Sequence, residues 1–328
     1  MIKRIQSYRT EQTNPHRNLA VEQYLLESVQ PETCILYLWQ NRRTVVIGRN
    51  QNALRECRTT QLEADGGFLA RRLSGGGAVF HDLGNLNFTF LVHKEDYDLQ
   101  RQLRVIVEAC RAMGIPAECS GRNDVLSEGR KFSGNAFYEH HGRSYHHGTL
   151  LVDVDMGNMS RYLSPSTAKL QAKGVQSVRS RVVNLKELKP DLTIAEMARQ
   201  MEDAFCRVYG LEAERLDEGS FDHGYIDALT ERNGSWEWLH GQNLQCTMAF
   251  GGRFTWGEID LQILTAEGLV RQAAVYTDAM DWQLAPELER ALAGSRMQLG
   301  PLQDRVRASA LDGQVKEDLC ALLARQDI

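Results

Sequence analysis

The chain has 328 residues, 42% of them apolar and 25% charged, which suits a globular protein of about two domains. Its net charge of -5 argues against a general nucleic-acid binder, which needs a basic face, and no run approaches the roughly 20 apolar residues of a membrane helix. The opening MIKRIQSYRTEQ lacks the apolar stretch of a signal peptide, and the seven cysteines (34, 57, 110, 119, 206, 246 and 320) contain no CxxC pair, so neither a disulfide framework nor a zinc site is expected and the protein reads as cytoplasmic with reduced thiols.

Asn14-Pro15 followed by Leu19, Tyr24, Leu25 and Val29 predicts a capped helix, after which CILYLW (34–39) and TVVIG (44–48) read as strands. FLARRL (68–73) is a further strand-like run that ends at SGGG. Leu86, Phe88 and Phe90 then alternate with Asn87 and Thr89, the period of a half-buried strand, so the glycines join two strands. Leu99, Leu103, Ile106, Val107, Cys110 and Met113 share a helical face that Gly114 and Pro116 terminate. KFSGNAFY (131–138) and SYHHGTLLVDV (144–154) flank a hairpin turn, and Thr193-x-x-Glu196 forms a capping box for a helix closed by Gly210. Beyond HGQNLQCTM (240–248), RFTWGEIDLQIL-TAEG-LVRQAAVYTD reads as a new hairpin followed by helix-compatible sequence. A domain boundary is expected near 245, dividing the chain into 1–245 and 246–328.

Three segments have the composition of a binding site. RRLSGGGAVFHD (71–82) sets two arginines beside three successive glycines, whose backbone N–H groups can approach an anion without interference from Cβ; the same pattern also suits a tight turn. It is not a P-loop, and a strand rather than a helix follows it, which excludes a dinucleotide fingerprint. In the second segment Lys131 stands beside Ser133-Gly134-Asn135, although a strand lysine in isolation is a solvated charge. In the third, His146 and His147 are adjacent on a strand, point to opposite faces and cannot easily share a metal. Between Arg122 and Arg181 nine Lys/Arg stand against five Asp/Glu, a local charge of +4 that points to an anionic ligand or an acidic partner.

Taken together, RRLSGGGAVFHDLGNLNFTF, GRND followed by RKFSGNAF, and HHGTLLVDVD closely resemble blocks of the lipoate-protein ligase A family. KGVQSVRSRVVNL, GSWEW and RFTWGEIDL resemble its bacterial two-domain form. The resemblance runs from about residue 16 to about 280. It implies an α+β fold: a biotin/lipoate protein ligase catalytic domain, built as a mixed sheet with flanking helices, plus a small α+β C-terminal accessory domain. The activity implied is an ATP-dependent one that converts lipoate to lipoyl-AMP with release of pyrophosphate. The lipoyl group would then pass to a lysine of an acceptor, namely the lipoyl domains of 2-oxoacid dehydrogenase E2 subunits or the glycine cleavage H protein. Mg²⁺ is implied as the accompanying ion, with no metal site made of protein ligands alone, and a monomer is expected.

By the same resemblance Arg72, Ser74, Gly75, Gly76, Gly77, Ala78, Val79 and Phe80 fall at the ATP and lipoyl-AMP positions. Lys131 is the lysine that meets both lipoate and ATP, which suits it to stabilise the charge that develops on phosphoryl and acyl oxygens. His81, Ser133, Gly134, His147 and Gly148 fall near the lipoate slot. Asp124 is a candidate for orienting Lys131 or for Mg²⁺, and equally reads as a surface-loop acid. The nearest competing reading is a cysteine-dependent lipoyl or octanoyl transferase of the same fold, which requires an activated thiolate. Cys110 on a core helix face and Cys119 without a cationic partner at a fixed spacing do not supply one. A non-catalytic lipoyl-domain binder would be expected to have lost Lys131 or the glycines, and both are intact. Residues 249–328 carry no motif linked to chemistry and are expected to act as a mobile lid.

Overall fold

In the computed structural model, which describes residues 1–121, 124–164, 182–240 and 246–326, Asn14 starts the first helix. Its side chain accepts the His16 N–H at 3.0 Å, and Pro15, with no donor to lose, fills the first turn. The larger unit contains strands β1 (Arg4–Arg9), β2 (Thr33–Trp39), β3 (Thr44–Ile47), β4 (Phe68–Arg71), β5 (Val79–His81), β6 (Asn85–His93), β7 (Glu118–Ser120), β8 (Asp124–Ser127), β9 (Arg130–His140), β10 (Arg143–Leu151) and β11 (Ala213–Arg215). Its helices are α1 (Pro15–Ser28), α2 (Ala53–Glu56), α3 (Thr59–Ala64), α4 (Leu99–Ala112), α5 (Met156–Tyr162), α6 (Leu185–Leu188), α7 (Ile194–Tyr209), α8 (His223–Gly234) and α9 (Trp236–His240).

Eight strands form one mixed sheet in the order β11-β1-β2-β6-β10-β9-β8-β7, and β4-β3-β5 form a small second sheet. Only β1 runs parallel to its neighbours in the large sheet, on both sides. Phe88, Phe90, Ile106, Phe132 and Phe205 make a core on the face covered by α4 and α7, whereas Leu25, Tyr37, Trp39 and Tyr145 make a second core on the face toward α1. The large sheet is thus buried on both sides, which corrects one expectation from the sequence. β6 is not half-buried, because Asn87 and Thr89 are as buried as the phenylalanines between them. Their alternation marks an internal polar face: Trp39 Nε1 donates to Thr89 Oγ1 at 3.2 Å, and Thr89 Oγ1 donates to Glu22 at 2.7 Å.

The glycines do lie between strands, with the three-residue β5 interposed before β6 and paired antiparallel to β3. The β9–β10 hairpin turns at His141 and Gly142, both at positive φ, and α7 begins at Thr193, which accepts the Glu196 N–H, and ends at Gly210 with φ 65°. Between β8 and β9 the register slips: Val125 faces Ser133 while Leu126 faces Lys131, so Phe132 is the extra residue of a β-bulge.

The C-terminal unit has β12 (Met248–Phe254), β13 (Gly257–Ala266) and β14 (Leu269–Thr277) in one antiparallel sheet, followed by α10 (Leu284–Leu292), α11 (Leu299–Ala308) and α12 (Gly313–Ala324). Ile259, Leu261, Ile263, Leu288, Leu302 and Leu319 form its own core. The sequence hairpin corresponds to β13 and β14, and β12 adds a third strand. The expected boundary near 245 lies outside the described residues, as do Arg122, Asn123 and the basic stretch 165–181. No helix among the described residues is long and apolar enough to cross a membrane.

Candidate functional site

Between the large sheet and the small one lies a cavity of about 370 Å³. Leu19 of α1, Trp39 of β2, Val46 of β3 and Val79 of β5 give it an apolar wall, which His81, Asn87 and His147 continue. Gly76 and Gly77 of the loop between β4 and β5 line another side, facing Lys131, Gly134 and Gly148 of the β9–β10 hairpin. The C-terminal unit closes the remaining side with Arg253, Thr255, Trp256, Gly257, Asp278 and Met280.

Close approach of backbone explains why the loop is glycine-rich. A Cβ on Gly48 would lie 2.1 Å from the Gly76 carbonyl oxygen, and one on Gly75 would lie 2.5 Å from the carbonyl oxygens of Ala279 and Met280. Gly76 has φ +89° and donates its N–H to the Ala279 carbonyl at 2.9 Å, so the C-terminal unit is latched directly to the loop. Arg72 is fully turned into that loop. Its guanidinium donates to Gly75 O at 2.8 Å, Gly77 O at 2.8 Å, Val46 O at 3.2 Å and Ser74 Oγ at 3.1 Å. All of these partners are neutral, and burial draws the Arg72 pKa down to about 10. Arg72 therefore shapes the loop from within and places a positive charge behind it.

Ser74 lies behind the same loop, with Oγ 2.8 Å from His147 Nε2, and His147 Nδ1 is 2.8 Å from Oε1 of the buried Glu22. The neighbouring His146 points into the opposite core, between Gln102 and Asn135. Burial pulls His146 down to about 3, and His81 likewise, with the Arg72 charge adding to the effect at His81. Among the described residues no group of three or more His, Cys, Asp or Glu is arranged to hold a metal ion.

Lys131 owes its position to the bulge, which lets it line the cavity together with Gly134 across the extra Phe132. Its ammonium lies 2.6 Å from Asp124 Oδ1, and its carbonyl accepts the Val183 N–H at 2.9 Å. The side chain lies so close over Gly134 that a Cβ there would meet Nζ at 2.9 Å and Cε at 3.0 Å.

Of the residues singled out in the sequence, Arg72, Gly76, Gly77, Ala78, Val79, His81, Lys131, Gly134, His147 and Gly148 line this one cavity. Four others do not. Ser74 sits behind the loop, Gly75 packs under residues 279 and 280, and Phe80 faces the core, 5.6 Å from the Tyr162 ring. Ser133 is fully buried beside the bulge. Asp124 is engaged by Lys131. Sequence reasoning missed Leu19, Glu22, Trp39, Val46 and the RFTWG turn. A signal existed for Glu22, an acid between Leu19 and Leu25 at three-residue spacing on the apolar stripe of a helix. Cys34, Cys57 and Cys110 are buried, which pushes each thiol up to about 12, and no cysteine lines the cavity among the described residues.

Known proteins resemble the chain over nearly its whole length. The family profile described as Lipoyl protein ligase A/B catalytic domain matches residues 14–206, and that of the Bacterial lipoate protein ligase C-terminus matches residues 243–323. Lipoate-protein ligase A of Psychrobacter cryohalolentis is 41% identical over 289 residues, 86% of this chain and 85% of that protein. The structure of P. falciparum LipL1 in complex with lipoate superposes with a TM-score of 0.86 at 24% identity, covering 98% of this chain and 100% of the other, a likeness of fold. A lipoate-protein ligase A solved with ATP bound superposes with a TM-score of 0.62 at 25% identity over 74% of this chain and 99% of the other. With both halves of the chain matched and a relative this similar, the protein is an enzyme of the lipoate-protein ligase A family.

Proposed function

We propose that this chain activates lipoate with ATP to give lipoyl-AMP and pyrophosphate, and then transfers the lipoyl group to a lysine of an acceptor. The acceptors proposed are the lipoyl domains of 2-oxoacid dehydrogenase E2 subunits and the glycine cleavage H protein. The observation that carries the reading is that Lys131 and the glycine loop face one another in a single cavity that also has an apolar wall. Leu19, Trp39, Val46 and Val79 suit the dithiolane and alkyl chain, and the glycine loop suits phosphate. That a relative of the same fold was solved with ATP supports the nucleotide assignment.

In the first step a lipoate carboxylate oxygen attacks the α-phosphorus, the bond to the β-phosphate bridge breaks, and pyrophosphate leaves. The Lys131 ammonium meets the charge that grows on the phosphoryl oxygens. In the second step the acceptor's lysine amine attacks the acyl carbonyl and AMP leaves, so the nucleophile belongs to the partner. Mg²⁺ would neutralise the polyphosphate, with Asp278 in the cavity lining and Asp124 beside Lys131 as the carboxylates at hand. The Asp124–Lys131 pair favours an orienting role for Asp124. The chain is taken to divide near 245, with the C-terminal unit as a lid over the adenylate, and to act as a cytoplasmic monomer.

The thiol-transferase alternative is disfavoured by the cavity, which has no cysteine among its described lining. ATP–pyrophosphate exchange measured with and without lipoate tests the proposal. Lipoate-dependent exchange is expected, and its absence in folded protein would overturn the ligase reading.

A further inference from the structure

Arg71 is a buried arginine whose partners are all backbone carbonyls. Nε donates to Trp238 O at 2.7 Å, Nη1 to Arg49 O at 2.8 Å and Gln51 O at 2.7 Å, and Nη2 to Leu239 O at 2.6 Å. Trp238 Nε1 donates back to Arg71 O at 3.0 Å. One side chain thereby bolts the turn at 48–51 to helix α9.

That construction gathers like charges. The Arg49 guanidinium carbon lies 4.9 Å from the centroid of the Trp238 ring, and that of Arg232 lies 4.7 Å from it. Neither makes an ion pair within 4 Å among the described residues. Arg232 Nη2 is met only by the neutral side-chain oxygens of Gln23 and Asn233, and its Nε has no partner. Burial and then the Arg49 charge both pull the Arg232 pKa down. Glu27, the carboxylate whose field reaches Arg232, is occupied by Tyr225 Oη at 2.7 Å and Gln23 Nε2 at 2.8 Å. Repulsion between uncompensated cations costs the free protein stability, and a partner's carboxylates would relieve it. The Arg49 N–H donates to Ser74 O at 2.9 Å, so this patch adjoins the glycine loop.

We propose that Arg49, Arg232 and Trp238 form the docking patch for the acidic surface of the acceptor protein whose lysine receives the acyl group. The inference rests on the ligase reading above. None of the three residues lines the cavity, which separates them from the nucleotide, and Arg and Trp are the side chains that most often anchor protein interfaces. Because Arg71 holds the patch in place before any partner arrives, little ordering is lost on docking.

The test uses the full chain, an unmodified lipoyl domain as acceptor, and the variants Arg49→Glu and Arg232→Glu. The acceptor KM is expected to rise about tenfold or more in each, with the salt dependence of acceptor use flattened. Lipoate-dependent ATP–pyrophosphate exchange is expected to stay within about twofold, since charges at an interface rim act on encounter rather than chemistry. Arg232→Lys, which keeps the charge, should retain most of the acceptor affinity. A lipoyl domain with its acidic residues near the target lysine changed to Lys should regain rate on the Arg232→Glu enzyme. If Arg232→Glu does not fold, Arg232→Gln takes its place. An unchanged acceptor KM in folded variants overturns the patch, and so does an equal loss of exchange, which would assign the arginines to the nucleotide. Absence of lipoate-dependent exchange in the unaltered chain instead sinks the ligase reading, and the patch with it.

Discussion

Gly134→Ala isolates the seat of the Lys131 ammonium. The added Cβ would lie 2.9 Å from Nζ and 3.0 Å from Cε, and the obstructed atoms are the far end of a flexible side chain rather than backbone. The fold should survive while the ammonium moves outward by about 1 Å to restore normal contact distance. At an effective dielectric of about 20, the attraction between the ammonium and a developing phosphoryl charge falls from ~5.5 kcal/mol at about 3 Å to ~4.2 kcal/mol at about 4 Å. That difference corresponds to about a tenfold slower adenylation. Lys131→Met removes the charge altogether, and loss of such a contact typically costs ~3–4 kcal/mol, or roughly 10²- to 10³-fold in rate. Lipoate-dependent ATP–pyrophosphate exchange, with thermal melting run on the same samples, should rank the wild type above Gly134→Ala and that above Lys131→Met. Wild-type exchange by a folded Gly134→Ala protein would refute the idea that this glycine exists to seat the ammonium, and the same result for Lys131→Met would remove Lys131 from the chemistry.

Gly76→Val should raise the KM for ATP and lower kcat, because φ is +89° there and a Cβ would sit 3.0 Å from Met280 Sδ and 3.1 Å from Arg72 Nη2; unchanged kinetics in folded protein would mean that the loop is only a turn. Truncation after residue 246 removes the Ala279 latch and should impair lipoyl-AMP formation far more than transfer from supplied lipoyl-AMP, whereas equal losses or loss of transfer alone would refute a lid. Stability should fall on acidification. His81 and His146 are neutral in the fold down to about pH 3, but in the unfolded chain they take up protons near pH 6.5, so between these values the unfolded state binds more protons. Each such histidine contributes a slope of up to ~1.4 kcal/mol per pH unit in that window, and His146→Gln should lower the dependence of Tm on pH between about 7 and about 5. An unaltered slope would show that His146 is already charged in the native protein.

The parts of the fold that local chemistry dictates were legible. Asn14, Thr193 and Gly210 mark helix ends by side-chain or backbone geometry, and the glycine and polar residues between β9 and β10 suit a hairpin turn. Interior polarity was harder to see. Asn87 and Thr89 look like a solvent face in sequence, yet helices cover both sides of the sheet and these side chains serve the cavity and Glu22. The bulge at Phe132 was also invisible, because period-two counting from Lys131 groups it with Ser133, whereas the inserted residue sets Lys131 beside Gly134 in the lining. Residues brought from far along the chain, such as Trp39 and Arg253, carry no local signature of the site they complete.

Arg72, Ser74, His147 and Glu22 stand in single file. A guanidinium offers only donors and a carboxylate only acceptors, so the file runs from a donor end to an acceptor end. Ser74 Oγ receives from Arg72 Nε and, beside a neutral ring, gives its own hydrogen to His147 Nε2. That neutral ring carries its hydrogen on Nδ1, where Glu22 accepts it. Both ring nitrogens are spent inside the wall, and a ligand in the cavity meets His147 as an aromatic surface rather than as a donor or a base.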